Sequence, residues 1–364
     1  MYLIALNLRQ ARCHPTEMSS IVNYRLAAAI CLIALSSHTV HQAVAQEQPV
    51  PIGAIDFYGY GGIDIDKIRA ALPVHIGDSF PSYEAERAVS PKIREVILRM
   101  TGKPATGVSN VRVENAYLIY IGLAGATMKK FPLNAAPTGS AGLPQKMLDV
   151  YNQKMDLWSK SVAAGATDDD SNGYALSSFP ELRTVELSTR DYAVQNEDLI
   201  LTVLKTASDP NQRVAAADAL GYAKQSPAQI EGLVAAAHDP DSYVRNGATR
   251  ALGVLAESNP RTAAQIPAEP FIEMLSSESW TDRNKAGFVL ESLTLGRDPK
   301  VLSALHTEAL ESLIEMAKWH EIGHAVSFRI ILGRMGGMDE KRLNEMAGKN
   351  DQLDAIVTAA RNAK

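Results

Sequence analysis

Residues 239–255 read D-P-D-S-Y-V-R-N-G-A-T-R-A-L-G-V-L. Asp239 and Pro240 make a turn. Beyond it Val244, Ala248, Ala251, Leu252 and Leu255 recur at the three- and four-residue steps that put apolar side chains on one face of a helix. Arg245 follows the first apolar residue, and Ala-Leu-Gly closes the buried face. One such face is too small to stand alone, so the stretch predicts a paired helix and stacked neighbours.

The neighbours are found by their leucine. Leu220, Leu252, Leu290 and Leu332 take equivalent places in A-A-A-D-A-L-G, N-G-A-T-R-A-L-G, N-K-A-G-F-V-L-E and V-S-F-R-I-I-L-G, at spacings of 32, 38 and 42 residues. Such spacings belong to solenoid arrays. Preceding helices are supplied around Leu204, Leu233, Leu275 and Leu313, and a weaker pair at 341–346 and 352–360 has the polar character of a terminal cap. The organising stretch resembles the second helix of a HEAT repeat, in the short variety also found in phycobilisome lyases. The resemblance implies an α-solenoid of HEAT type over residues 196–364. The lyase activity is not carried over, because residues 46–364 hold no cysteine to attach a pigment.

In a curved array one row of second helices lines the concave side. The positions two before each marker leucine are Asp218, Arg250, Phe288 and Ile330. Pointing inward, they would grade from charged to apolar and hold a protein or peptide partner. The other reading packs Phe288 and Ile330 against the next repeat.

Composition agrees with a helical array. The 364 residues are 46% hydrophobic but only 6% aromatic, which suits close packing of alanine-rich helices. Near the start, Arg25 precedes L-A-A-A-I-C-L-I-A-L, and Ala43-Val44-Ala45 follows. A basic residue, an apolar run of about ten and a small-x-small site are the parts of a secretory signal peptide, and the run is too short to span a bilayer. Residues 1–45 are therefore expected to be a signal peptide behind an over-extended start, and the protein to be exported to the bacterial envelope or periplasm. Cys13 and Cys31 fall in that segment. The formal charge is −5; setting aside residues 1–45, with Arg9, Arg12 and Arg25 against Glu17, leaves about −7. An acidic chain without a basic run argues against nucleic acid as the main partner.

Residues 50–130 predict a small α+β domain. A strand carries Ile52 and Ala54 and ends at Gly59; Asp64 caps a helix bearing Ile65, Ile68 and Leu72; a second helix bears Ile93, Val96, Ile97 and Met100. Two strands, around Val111 and Tyr120, complete the order β-α-α-β-β. With I-x-F-x-G at the first strand, A-L-P after the first helix and a G-D-x-F loop, this resembles the POTRA domains of the bacterial envelope. The chain shows no barrel or membrane helix behind it, so only the physical capability is carried over: an open sheet edge can accept a strand from a partner. The other reading is a cap on the end of the solenoid.

Residues 131–144, rich in Pro, Gly, Ala and Ser, predict a linker or surface-hugging loop, and helices follow over 145–164 and 181–195. Between them Asp168, Asp170 and Asn172 spell the first half of a calcium-binding EF-hand loop, but Phe179 stands where its bidentate glutamate belongs, so the run reads as a solvated turn. Finally, His320-Glu321-Ile322-Gly323-His324 matches H-E-x-x-H. On a helix this places two imidazoles one turn apart for zinc, with Glu321 as general base, and the alternative function is a zinc-dependent metallopeptidase. Laid on the organising stretch by a shift of 80 residues, however, the motif falls on the turn between paired helices, and only Glu340 and Glu345 offer themselves as a third ligand. The expectation is a non-catalytic scaffold that binds a protein partner through the solenoid groove, the sheet edge or both, with no metal and no cofactor.

Overall fold

The computed structural model describes residues 50–80, 83–113 and 116–363. The signal-peptide reading and both cysteines lie outside them. Strand β1 (Ile52–Tyr58), helices α1 (Ile65–Ala71) and α2 (Tyr83–Thr101), and strands β2 (Gly107–Arg112) and β3 (Tyr117–Gly122) come in the expected order. The sheet order is β1-β3-β2, with β1 parallel and β2 antiparallel to the central strand. Asp64 caps α1 by accepting from the Lys67 amide at 3.2 Å.

Next come α3 (Gln145–Ala163), a two-residue pair β4 (Asp168–Asp169) and β5 (Leu176–Ser177), and α4 (Pro180–Gln195). The repeats are α5 (Glu197–Thr206) with α6 (Pro210–Leu220), α7 (Pro227–Ala236) with α8 (Ser242–Ser258), α10 (Glu269–Met274) with α11 (Trp280–Leu293), α12 (Pro299–Ala317) with α13 (Ile322–Met335), and α14 (Glu340–Met346) with α15 (Leu353–Asn362). A short α9 (Pro260–Ala263) stretches the second interval, and the 19-residue α12 stretches the third. These account for the uneven spacing of the marker leucines, all four of which are fully buried.

An aspartate caps four of these helices, Asp209 before α6, Asp241 before α8, Asp298 before α12 and Asp339 before α14, and proline opens the first turn of α6 and α12. An arginine seven residues before the marker leucine then links each of the first three repeats to the next. Arg213 binds Asp239 through Nε at 2.8 Å and Nη2 at 2.9 Å, and Arg245 grips Asp282 through Nε and Nη2 at 3.0–3.2 Å. Each also donates to carbonyls of its own turn, Arg213 to Ala207 and Arg245 to Asp239. The third rung, Arg283, faces Glu315 at a looser 3.9 Å.

The sheet lies between two cores. One face gives Ile52, Ile55, Phe57, Ile119 and Ile121 to a cluster with α1 and α2, whereas the other gives Ala54, Tyr58, Val111, Leu118 and Tyr120 to the core of the solenoid. Burial on both faces is why β1 shows no clean alternation of apolar and polar residues.

Residues 131–144 run along the turns of the first repeats. Asn134 donates its amide to the His238 carbonyl at 2.7 Å, Gly139 donates to Thr206 at 2.8 Å, and the Leu143 amide reaches Gln212 Oε1 at 2.8 Å. Here the surface-hugging alternative holds, because Asn134, Gly139 and Leu143 each spend a backbone amide on the repeats.

Candidate protein-interaction site

The sheet domain is fastened to the fourth repeat by the residues that looked like a zinc motif. His320 lies in the turn before α13, its amide donating to Asp56 Oδ2 at 2.9 Å and its Nδ1 lying 2.6 Å from Asp56 Oδ1. Glu321 is the cap of α13 and accepts from the Gly323 amide. His324 is buried, with Nδ1 hydrogen-bonded to the Tyr120 hydroxyl, among Tyr120 and Trp280. The two imidazoles thus serve different partners and do not share a helical face. Among the described residues no three His, Cys, Asp or Glu side chains converge as a metal-holding group, and Glu340 is paired with Arg297 and Arg334 instead.

Around this turn Trp319 donates Nε1 to the Phe57 carbonyl at 3.1 Å, and Tyr120 stacks on Trp280 at 4.6 Å. Glu315 accepts from the Gly59 amide at 2.7 Å, the Gly61 amide at 2.9 Å and the Thr127 hydroxyl at 2.6 Å. Gly59 is required there: its φ is +69°, and a Cβ would lie 2.3 Å from Met128 and 2.7 Å from the Leu123 carbonyl.

The two histidines respond to pH with opposite signs. Burial pushes His324 down to about 3, with Lys285 adding to the effect. Its contribution is whole above the ordinary histidine range, near 6.5, and is lost as pH falls from there toward 3. The hydrogen bond to Asp56 raises His320, whose contribution is whole at low pH and lost as pH rises through its folded value. We therefore expect His324→Phe to lose less stability than the parent chain between pH 7.5 and 5, and His320→Gln to lose more. Urea unfolding at the two pH values measures both.

The docking closes one edge of the sheet. On β1 the outward carbonyls of Ile55 and Phe57 accept from Arg69 and Trp319, and Ile52 exchanges backbone bonds with Gly77 and Asp78. The far edge, β2, differs. Its ladder alternation turns the amides of Val108, Asn110 and Arg112 outward, and among the described residues no backbone group meets them. Beside its first half, between sheet and repeat turns, lies a cleft of about 330 Å³ lined by Thr106, Gly107, Ser109, Leu133, Glu278 and Trp280 among others. The Tyr58 hydroxyl crosses its floor to the Glu278 carbonyl at 3.1 Å, and a Cβ on residue 107 would strike that hydroxyl at 2.4 Å. Leu133, in the cleft lining, and Tyr243, next to its Ser242, are exposed.

The row named from the sequence is placed otherwise than as an open groove. Asp218 is ion-paired with the buried Lys154 of α3; Arg250 binds Asp168 of β4 at 2.7 Å; Phe288 packs over Gly253 with Val254 and Ala175; Ile330 is buried in the main core. Phe288 thus packs back on the preceding repeat rather than on the next, and the chain's own segment 145–178 meets Asp218 and Arg250. In the acidic turn Asp168 faces Arg250, Asp169 accepts from the Ser171 amide, and Asn172 gives its backbone carbonyl to Gln225. Sequence reasoning missed the cleft. Its available signal was the cluster of Trp280, Trp319 and exposed Leu133 in an aromatic-poor chain.

The family of HEAT repeats matches residues 197–267, which is α5 through α9. No curated protein matches the chain in sequence. Among solved structures, the chain is similar to an engineered protein (13% identity over 60% of this chain and 96% of that one, TM-score 0.38). It is also similar to a computationally designed armadillo repeat protein for modular peptide recognition (16%, 50% and 93%, TM-score 0.36). A designed armadillo repeat protein in complex with the peptide (KR)4 matches at 15% identity, over 50% of this chain and 93% of that one, with a TM-score of 0.35.

Proposed function

We propose that the chain is a non-catalytic scaffold that captures an extended segment of a partner protein along β2, with a side chain of that segment seated in the adjoining cleft. The observation that carries this is the contrast between edges: β1 is closed by Arg69 and Trp319, whereas β2 keeps three outward amides beside an aromatic-floored cavity. Strand addition draws affinity from main-chain bonds and selectivity from the pocket taking alternate side chains. The solenoid supplies the far wall of the cleft and holds it rigid through the Trp280, Trp319 and Tyr120 contacts.

The POTRA-like order of the small domain and the signal-peptide reading of residues 1–45 support placing this scaffold in the bacterial envelope. Expression in a bacterial host, fractionation and intact mass test that placement. A periplasmic product beginning at Gln46 is expected, and an unprocessed cytoplasmic one counts against it.

For the binding site, peptides selected from a random displayed library are the probe. Bound peptide is expected to slow amide exchange at Val108, Asn110 and Arg112. Val108→Pro, which removes an outward amide and no ladder bond, is expected to weaken binding at least tenfold while the melting temperature moves by a few degrees at most. Protection confined to other surfaces would overturn the assignment.

A further inference from the structure

We propose that the concave row is a second docking surface, one that takes an acidic segment of a partner protein and is covered in the free chain by an internal imitation of that segment, residues 167–178. The sequence here is T-D-D-D-S-N-G-Y-A-L-S-S, and as a hairpin it lies over α8 and reaches the end of α6 on one side and α11 on the other. Asp168 reaches Arg250 on α8 at 2.7 Å. The Asn172 carbonyl accepts from Gln225 Nε2 at 2.6 Å, beyond the end of α6. Ala175 seats between Val254 of α8 and Phe288 of α11. Two residues of the row, Arg250 and Phe288, are thus met by an acidic and then apolar segment of the same chain.

Charge says what kind of partner can replace it. The face under the hairpin carries Arg250 and Lys285, both near Asp168 and Asp170, so a substitute must bring carboxylates. The fit of the internal segment is also incomplete. Asp170 Oδ1, Arg250 Nε and Thr249 Oγ1 are buried with no hydrogen-bond partner. Burial, ahead of the opposing pull of Arg250, pushes the Asp170 carboxyl up to about 6, and burial followed by Arg250 brings Lys285 down to about 7. Buried polar groups are nearly always satisfied, so these three atoms are places where another ligand can add bonds. The β4–β5 ladder is short, two residues on each strand, and the hairpin is anchored at its far end by the buried Ala175, Leu176 and Ser177 and by the Ser177 amide donating to Glu186 at 2.7 Å. An incoming acidic segment able to satisfy those atoms has bonds to gain that the internal segment does not make.

The test uses the full chain and, as probe, a labelled synthetic peptide copying residues 165–178, with a control in which its three aspartates are lysines. In the Asp168→Asn, Asp170→Asn double variant the peptide is expected to bind at least tenfold more tightly than in the unaltered chain. Adding Arg250→Glu should abolish that gain, and the lysine control should not bind. Equal affinity in the double variant and the unaltered chain, or indifference to Arg250→Glu, overturns the proposal. A dimer in which the hairpin is exchanged between copies overturns it too, by making a second copy the occupant. Amide exchange on the unaltered chain needs no variant: residues 167–178 should exchange at least tenfold faster than α8. Hairpin amides that open only with global unfolding overturn the proposal.

Discussion

Replacing Asp282 with alanine is expected to destabilise the chain by about 3–5 kcal/mol, the range for stripping one partner from a buried ion pair. The size follows from what is left behind. Arg245 and Asp282 are 8% and 1% exposed, and Arg245 grips the carboxylate through two nitrogens. Without the carboxylate the guanidinium keeps only the Asp239 and Pro240 carbonyls, and the Ser277 hydroxyl also loses its acceptor. The exposed pair Arg361 and Glu311, about half accessible on each side, is the internal control; Glu311→Ala should cost no more than about 1 kcal/mol. Because the cost is that of an orphaned charge, replacing both partners, as Arg245→Met with Asp282→Leu, should recover most of the loss. Urea unfolding of the parent chain and the three variants measures this, and a double variant no better than Asp282→Ala would mean the pair itself stabilises the stack.

Those rungs also show what the sequence could and could not convey. The marker leucines, the helix pairs and the turn ahead of α13 follow from local spacing, and local spacing is what a linear sequence displays. The sequence sets Arg245 beside Asp239 as turn and ladder partner, but the Asp239 carboxylate is held by Arg213, and the acid of Arg245 sits 37 residues on, in the next repeat. On the third rung that acid is Glu315, in the last turn of a helix, where repeat alignment would not seek it. The covering of Asp218 and Arg250 was illegible for the same reason. Lys154 and Asp168 come to those residues from 64 and 82 positions away, and nothing periodic marks the pairing. Trp319 and His324 look like cap residues because they break the repeat pattern. They break it because the pattern describes contact between repeats, whereas these residues contact Phe57 and Tyr120 of the sheet. The cleft beside β2 arises only from that docking, so it too was out of reach.

Glu315→Ala is expected to have an effect as large as the loss of Asp282, but of a different kind, because it falls where the ladder and the sheet domain meet. The carboxylate accepts from Gly59, Gly61 and Thr127 and faces Arg283, which is wholly buried. Burial, ahead of these bonds, raises the Glu315 pKa, and burial brings Arg283 down to about 10. Two effects therefore compete: relief of a costly buried charge, against two orphaned glycine amides and an orphaned guanidinium. Each unsatisfied neutral group costs about 1–3 kcal/mol and the charge more, so the orphans win by about 3–5 kcal/mol. Glu315→Gln, which keeps an acceptor for the amides, should lose about half as much. The loss is directional, since the sheet domain has its own core with α1 and α2 while the repeats have theirs. Urea unfolding should accordingly split in two, with an early change in fluorescence from Trp280 and Trp319 at the interface, followed by loss of helix from the solenoid. Amide exchange should speed up in β1 and β3 before α6 and α8. A single coincident transition, shifted by less than about 1 kcal/mol, would show that the aromatic contacts hold the domain without the carboxylate.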